Sequence, residues 1–326
     1  MRYVIYGAGG IGGVIGSRLH QAEIDTTLIA RGEHAEKIAQ RGLRLIAPKE
    51  DVLLPVPVVE HPRGIYFTAD TVVLMCMKSQ HTLGALEDLA GVAPLHTLVA
   101  CVQNGVANEA MALRYFPNVY GVVVNLPAMF LTPGEVITHA YGHGGILDTG
   151  RFPRGVDDAA RQIATDLTRA GFSSEPDSQI MRKKYAKLLL NLYNVLQAGL
   201  SDADGAGDAR QIGKIIRDEA LACFRAAGID CATKAEVEAR RQGIYRMEDI
   251  AGYKRTAGSS WQSLARGTGD IETEYLNGEI CRLGRMHGVA TPGNDACVVL
   301  ARQLIRDQQG PGTLTASELL SRIAKD

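Results

Sequence analysis

Five short apolar runs, Tyr3–Tyr6, Thr27–Ala30, Val72–Met77, Leu98–Val102 and Val119–Val124, punctuate the first part of the chain with almost no polar residue inside them. A strand with one wet face alternates apolar and polar positions; runs without alternation predict strands covered on both faces, as in a parallel sheet. Helix-length stretches such as Ile11–Gln21, Thr82–Ala90 and Ala107–Tyr115 fall between them. Strands alternating with helices predict a doubly wound α/β domain. From about Asp177 the apolar spacing becomes helical, over Ser178–Leu200, Ala209–Ala227, Ala235–Gln242, Ile271–His287 and Asp295–Asp307, with Gly228, Gly288 and Gly310 placed as helix stops. The expected boundary lies near 176, with an α/β domain over residues 1–176 and an all-helical domain over 177–326. No repeat at a fixed period points to a solenoid.

Charge follows the same division: residues 1–150 carry 10 Lys/Arg and 13 Asp/Glu, the remainder 25 and 23. Over the 326 residues the balance is −1, with no basic block, which predicts neither a nucleic-acid nor a membrane partner and leaves a small molecule as the expected ligand. The six cysteines lie far apart, without a CxxC pair or Cys/His spacing suited to zinc, and read as reduced core thiols with no metal site. Met1 leads directly into the first apolar run, and no apolar run reaches the ~18 residues that span a bilayer, so a cytoplasmic location is expected.

The first run passes straight into Gly7-Ala8-Gly9-Gly10-Ile11-Gly12, a GxGxxG that opens a helix. Gly7 permits the tight turn, Gly9 lets the backbone approach a pyrophosphate, Gly12 allows close helix–strand packing, and the helix N-terminus offers free N–H groups to phosphates. Gly10 and Ile11 complete the loop, and the fold class becomes a Rossmann-type doubly wound sheet. At the end of the second run, where an acidic residue would accept from an NAD ribose hydroxyl, stands Arg31. A guanidinium suits a 2′-phosphate, so NADPH/NADP+ is the expected cofactor; the alternative is a residue that merely caps a wet strand end. Lys78 and Asn104 follow two later strands, at the end of the sheet where ligands lie, and are cofactor candidates or ordinary loop residues.

In the second domain, Asn191 lies about 40° to one side of Lys187 and Asn194 about 20° to the other at roughly 100° per residue, so the three share one helical face. Lys187 adjoins Leu188, Leu189 and Leu190, and partial desolvation would lower its pKa toward acid catalysis, unless it snorkels at a helix edge. Lys183 is its competitor, although Arg182-Lys183-Lys184 reads as a solvated charge run. Ser259 and Ser260 stand at a loop-to-helix junction and suit either a substrate carboxylate or a cap, while Asp270 is placed as an N-cap. Glu272 and Glu274 would lie at the positive end of the following helix. No histidine falls into a catalytic pattern.

Taken in order, GAGGIGG, LIARGEH, MCMKSQ, QNG at 103–105, KLLLN from Lys187 and SSWQ followed by DIETEYLNG resemble the ketopantoate reductase (2-dehydropantoate 2-reductase) family over nearly the whole chain. The resemblance implies NADPH-dependent reduction of a 2-oxo acid to a 2-hydroxy acid, most directly ketopantoate to pantoate as in pantothenate biosynthesis. It implies cofactor contacts from Gly7, Gly9, Gly12, Arg31 and Lys78, a shared role for Asn104, Lys187 as the proton donor, Asn191 and Ser260 on the substrate, and Glu272 near cofactor and substrate hydroxyl. It also implies a cleft between two domains that closes on its ligands. The chain departs from the family pattern on the substrate side: Val195 stands where a second asparagine belongs, with Asn194 the nearest amide, and Ala257 replaces another. An asparagine expected around Ser201–Asp204 has no counterpart. Those departures leave open another ketone, 2-oxo acid or imine, and, in a different class, an NADPH-binding sensor. A homodimer is compatible with the long apolar helices.

Overall fold

A computed structural model describes residues 1–201, 206–254, 258–265, 267 and 271–324. In chain order the first elements are β1 (Arg2–Tyr6), α1 (Gly10–Gln21), β2 (Thr26–Ile29), α2 (Gly32–Arg41), β3 (Leu43–Ala47), β4 (Glu50–Leu54), β5 (Val58–Val59), β6 (Thr71–Met75), α3 (Thr82–Ala90), β7 (Leu98–Cys101), α4 (Asn108–Ala112) and β8 (Val119–Val122). There follow β9 (Ala128–Met129), β10 (Glu135–Thr138), β11 (Ala140–Gly142), β12 (Thr149–Arg151), α5 (Asp158–Arg169), α6 (Ile180–Asn191), α7 (Asn194–Gly199), α8 (Ala206–Ala226), α9 (Lys234–Arg241), β13 (Tyr245–Met247), α10 (Ser259–Ala265), α11 (Asn277–His287), α12 (Pro292–Arg306) and α13 (Ala316–Ile323). The chain forms two compact units, Met1–Lys184 with Thr233–Arg255, and Tyr185–Ala232 with Thr256–Asp326.

The first unit is built on a seven-stranded sheet in the order β12-β8-β7-β6-β1-β2-β5, parallel except for β12. Chain order runs outward from β1 in one direction and from β6 in the other, so the β1/β6 boundary is the topological switch point. Both faces are covered, as the uninterrupted apolar runs predict. Tyr3 and Ile5 of β1 enter one core with Val14, Ile15 and Leu19 of α1 and Ile163 and Leu167 of α5, whereas Val4 and Tyr6 enter the other with Leu86 and Leu89 of α3 and Ala112 of α4. Tyr3 lies wholly buried because its hydroxyl donates to Asp166 at 2.8 Å.

A second sheet, in the order β4-β3-β10-β9, packs against α1. Gly13 makes this contact close, since a Cβ there would lie 2.5 Å from Val136 of β10.

The helical pattern over 235–242 is correct as α9, but its place is not in an all-helical domain. Residues 233–255 return to the first unit, and the boundary falls within α6 at Lys184–Tyr185 rather than near 176. The physical reason is a buried carboxylate and a strand pair. Asp148 receives Arg240 of α9 through two hydrogen bonds at 2.6 and 2.9 Å, and β13 pairs antiparallel with β11. Arg246 of β13 and Lys49 flank the Tyr141 ring at 4.5 and 4.6 Å.

Among the described residues the second unit is helical. In it α11 packs on α8 and α12, and α13 on α8. Buried polar groups are satisfied in a chain: Asn277 Nδ2 donates to the Leu192 carbonyl and to Asn294 Oδ1, and Asn294 Nδ2 donates to Glu219, whose carboxylate also accepts the Gly293 and Asn294 backbone N–H groups at the start of α12. All six cysteines are unpaired, four of them buried. No helix among the described residues is long and apolar enough to cross a membrane.

Candidate functional site

The glycine loop joins β1 to α1 at the switch point, and each glycine there answers a measurable constraint. Gly7 has φ +97°, and a Cβ on it would stand 2.8 Å from the Met77 backbone nitrogen. A Cβ on Gly12 would stand 2.1 Å from the Gly7 carbonyl oxygen, so only glycine brings α1 this close to the strand. Gly9 is different: a Cβ there would meet only Phe130, at 3.9 Å, which leaves the backbone open toward a ligand. Gly10 lies over the backbone of Met129, and Ile11 is half-buried against the core. Tyr6, Gly7, Gly9, Arg31, Met77 and Phe130 are among the residues around an adjoining cleft of about 830 Å³.

His34, to which sequence reasoning gave no role, ties this loop down. Its Nδ1 accepts the Gly134 backbone N–H at 2.8 Å, which leaves the ring proton on Nε2, where it donates to the Ala8 carbonyl at 2.8 Å. The Phe130 ring packs on it at 4.5 Å. Burial pulls the His34 pKa below its ordinary value, against the opposing bond to Ala8. A protonated His34 would also lose its acceptor for Gly134. Because the folded pKa is depressed below the unfolded one, the stabilisation is complete above the unfolded value near 6.5 and is lost as pH falls below it. We expect the melting-temperature gap between wild type and His34→Gln to narrow by about 2–4 °C between pH 8 and pH 5, a gap constant over that range being the contrary result.

Arg31 follows β2 with its side chain 65% exposed and its guanidinium 3.2 Å from Asp88 of α3. Lys78 and Asn104 sit half-buried after β6 and β7. Their turns are joined by a buried polar chain: Gln103 Nε2 donates to Thr82, the Thr82 hydroxyl to Asn108 Oδ1, and Asn108 Nδ2 to Ser79 and to the Asn104 carbonyl. Gly105, at φ +80°, lets the chain turn back after Asn104.

The charge run Arg182-Lys183-Lys184 is not solvated. Lys184 is 3% exposed, lies 2.5 Å from Glu109 of α4, and donates to the carbonyls of Cys101, Gln103 and Val122 at the ends of β7 and β8. Lys183 lies 2.8 Å from both Asp148 and Asp177; burial opposes its charge, but the two carboxylates prevail and raise its pKa. Two carboxylates thus already occupy the Lys183 ammonium, which disfavours it as a competitor of Lys187.

Lys187 is half-buried on α6 between buried Ala186 and Leu188. Asn191, one turn on and 5% exposed, has a buried amide nitrogen without a hydrogen-bond partner among the described residues. The single continuous face expected through Asn194 is interrupted: α6 ends at Asn191, Leu192 and Tyr193 form a turn, and Asn194 opens α7. Asn277 takes the Leu192 carbonyl at this break. Asn194 is half-buried beside Gly258, which precedes α10, and Ser260 is buried on α10 where that helix packs against α7. Glu272 is buried just ahead of a short 3-10 turn, Thr273–Tyr275, rather than in the first turn of the long helix, which begins only at Asn277. Glu274 is drawn to the surface by Arg302 at 2.6 Å. Asp270, Ala257, Asp202–Asp204 and the Ser259 side chain lie outside the described residues.

Comparison with known proteins gives the family. The pattern described as ketopantoate reductase PanE/ApbA matches residues 3–153, and that of its C-terminal part matches 179–305. The chain belongs to the ketopantoate reductase family. As a member it is an oxidoreductase of the class acting on CH–OH groups. A curated 2-dehydropantoate 2-reductase of Halobacterium salinarum is 27% identical across 94% of this chain and 100% of its own length. The crystal structure of a PanE/ApbA family ketopantoate reductase from Ralstonia eutropha JMP134 superposes with a TM-score of 0.79 at 27% identity, covering 94% of this chain and 99% of that one. A D-mandelate dehydrogenase solved with NADH and anilino(oxo)acetate shares the fold at a TM-score of 0.79 and 23% identity, over 94% and 99% of the two chains.

Proposed function

We propose that the protein reduces a 2-oxo acid to the 2-hydroxy acid with NADPH, and that ketopantoate is the substrate. Gly7, Gly9, Gly10, Ile11 and Gly12 hold the pyrophosphate at the N-terminus of α1, Arg31 meets the 2′-phosphate, and Lys78 and Asn104 contact the cofactor from the neighbouring strand ends. The fit rests on Gly9, whose backbone faces open space, and on a cleft with a cation at its β2 end. When bound, the reduced nicotinamide supplies the hydride. Lys187 donates a proton to the carbonyl oxygen and its charge stabilises the developing alkoxide; Asn191, Asn194, Asn104 and Ser260 hold the substrate, and Glu272 orients the hydroxyl.

The observation that carries the carbonyl-reduction reading is Asn191, whose buried amide nitrogen has no partner among the described residues, one turn from Lys187. A buried donor left unmet in a protein is the feature a bound oxygen would satisfy. Val195 favours the second reading, a different 2-oxo acid, ketone or imine. It is 1% exposed and apolar where the family pattern has an amide, and a site that loses a donor discriminates poorly for a hydroxyl-bearing acid. The initial rate of NADPH oxidation, measured with ketopantoate beside a panel of 2-oxo acids, ketones and imines, separates the readings. Fastest turnover of ketopantoate supports the first, and fastest turnover of another carbonyl the second. Tight NADPH binding without turnover of any of them would overturn both in favour of a sensor.

A further inference from the structure

The adenosine end of the cofactor cleft holds a negative charge as well as a positive one. Asp88, on the last turn of α3, lies with Oδ2 3.2 Å from the Arg31 guanidinium and within 3.4 Å of the Tyr6 hydroxyl, which donates to it. Its other oxygen faces His61 Nε2 at 3.5 Å. Tyr6, Arg31 and Asp88 all line the same cleft.

We infer that Asp88 is a specificity-determining residue that opposes the 2′-phosphate and sets the preference for NADPH over NADH below the level Arg31 alone would give. The inference rests on the assignment of Arg31 to the 2′-phosphate. A phosphate drawn to the guanidinium arrives beside a carboxylate that already occupies one side of it, so attraction to Arg31 is partly cancelled by repulsion from Asp88. A ribose 2′-hydroxyl meets no such penalty, because a carboxylate accepts a hydrogen bond from it. The same side chain therefore weakens one cofactor and tolerates or favours the other. Neither partner is a core group: the Arg31 and Asp88 side chains are 65% and 39% exposed, so both can be changed without emptying the fold.

The test is calorimetric titration of the protein with NADP+ and with NAD+, for wild type, Asp88→Asn, Arg31→Ala and the double variant. Asp88→Asn should tighten NADP+ about tenfold while leaving NAD+ unchanged or weaker, and the gain should shrink as salt rises from about 0.05 to 0.5 M. Arg31→Ala should weaken NADP+ much more than NAD+, and in its background the effect of Asp88→Asn on NAD+ should persist unchanged. If Arg31→Ala shifts the NADP+/NAD+ ratio but Asp88→Asn does not, Asp88 has no part in selection and the inference alone fails. If Asp88→Asn weakens NADP+, the carboxylate serves to orient Arg31 and the inference is reversed. If Arg31→Ala leaves the ratio untouched, the assignment of the 2′-phosphate fails and takes the inference with it.

Discussion

Lys187→Ala lowers turnover of the best carbonyl substrate by about 10²- to 10⁴-fold and leaves the Kd for NADPH within twofold of wild type. The split follows from where the residue stands in the chain. The groups assigned to the dinucleotide, Gly7 to Gly12, Arg31, Lys78 and Asn104, all belong to the first unit, whereas Lys187 belongs to the second. In the proposed reaction, removing the ammonium takes away both the proton donor and the charge that meets the developing alkoxide, two contributions that exist only as the carbonyl is reduced. Lys187→Arg separates them. It retains a positive charge but gives up its proton far less readily, so it should recover part of the lost rate and no more. Near-normal kcat in Lys187→Ala, or equal losses in kcat and in NADPH binding, would remove Lys187 from the reaction.

The strands that position the cofactor were legible because their burial on both faces leaves a signature in the chain itself. β1, β2, β6, β7 and β8 coincide with the five apolar runs, and GAGGIGG falls at the turn that the Gly7 φ and the Gly12 contact require. The second sheet left no comparable trace. β9 has two residues and β10 four, and β3 finds its parallel partner β10 only after six of the seven central strands have been laid down. Periodicity also located α9 correctly and misplaced it, because the segment is attached by Arg240 reaching the buried Asp148 and by the β11–β13 strand pair, and a carboxylate's burial is set by the fold around it. The residues missed at the site share that property. His34, Asp88 and Lys184 differ from ordinary surface residues only in the partners that β10's loop, β2's end and α4 bring to them. The expected unbroken face from Lys187 to Asn194 is interrupted for a related reason: a helical wheel presumes a continuous helix, and α6 ends at Asn191, where the Asn277 side chain bonds the Leu192 carbonyl.

Lys184→Met should lower the free energy of unfolding by about 3–5 kcal/mol, the largest stability loss expected from any single change near the cofactor cleft. The lysine reads as one of three cations in a row, yet its ammonium lies within 2.5 Å of Glu109 and within 3.3 Å of three carbonyl oxygens, with the side chain 2% exposed. Losing it strands the Glu109 carboxylate, which is 0% exposed and has no hydrogen-bond donor besides this contact among the described residues, so the cost is that of an unpaired buried charge rather than of one missing bond. The companion Glu109→Leu tests that account. Combined with Lys184→Met it removes the stranded charge and should restore part of the loss, because a buried pair replaced by apolar groups is often close to neutral. What the double variant cannot restore is the donor to Cys101, Gln103 and Val122, leaving a residual cost of about 1 kcal/mol for each acceptor that water does not reach. Urea unfolding midpoints of the two single variants and the double variant measure each part. A loss below about 1 kcal/mol in Lys184→Met, or no recovery in the double variant, would show that the ammonium is not what holds these strand ends. Since Gln103 is one of the three acceptors and Asn104 follows it, the residual cost should appear at the cofactor as well, as a higher Kd for NADPH in the double variant despite its recovered fold.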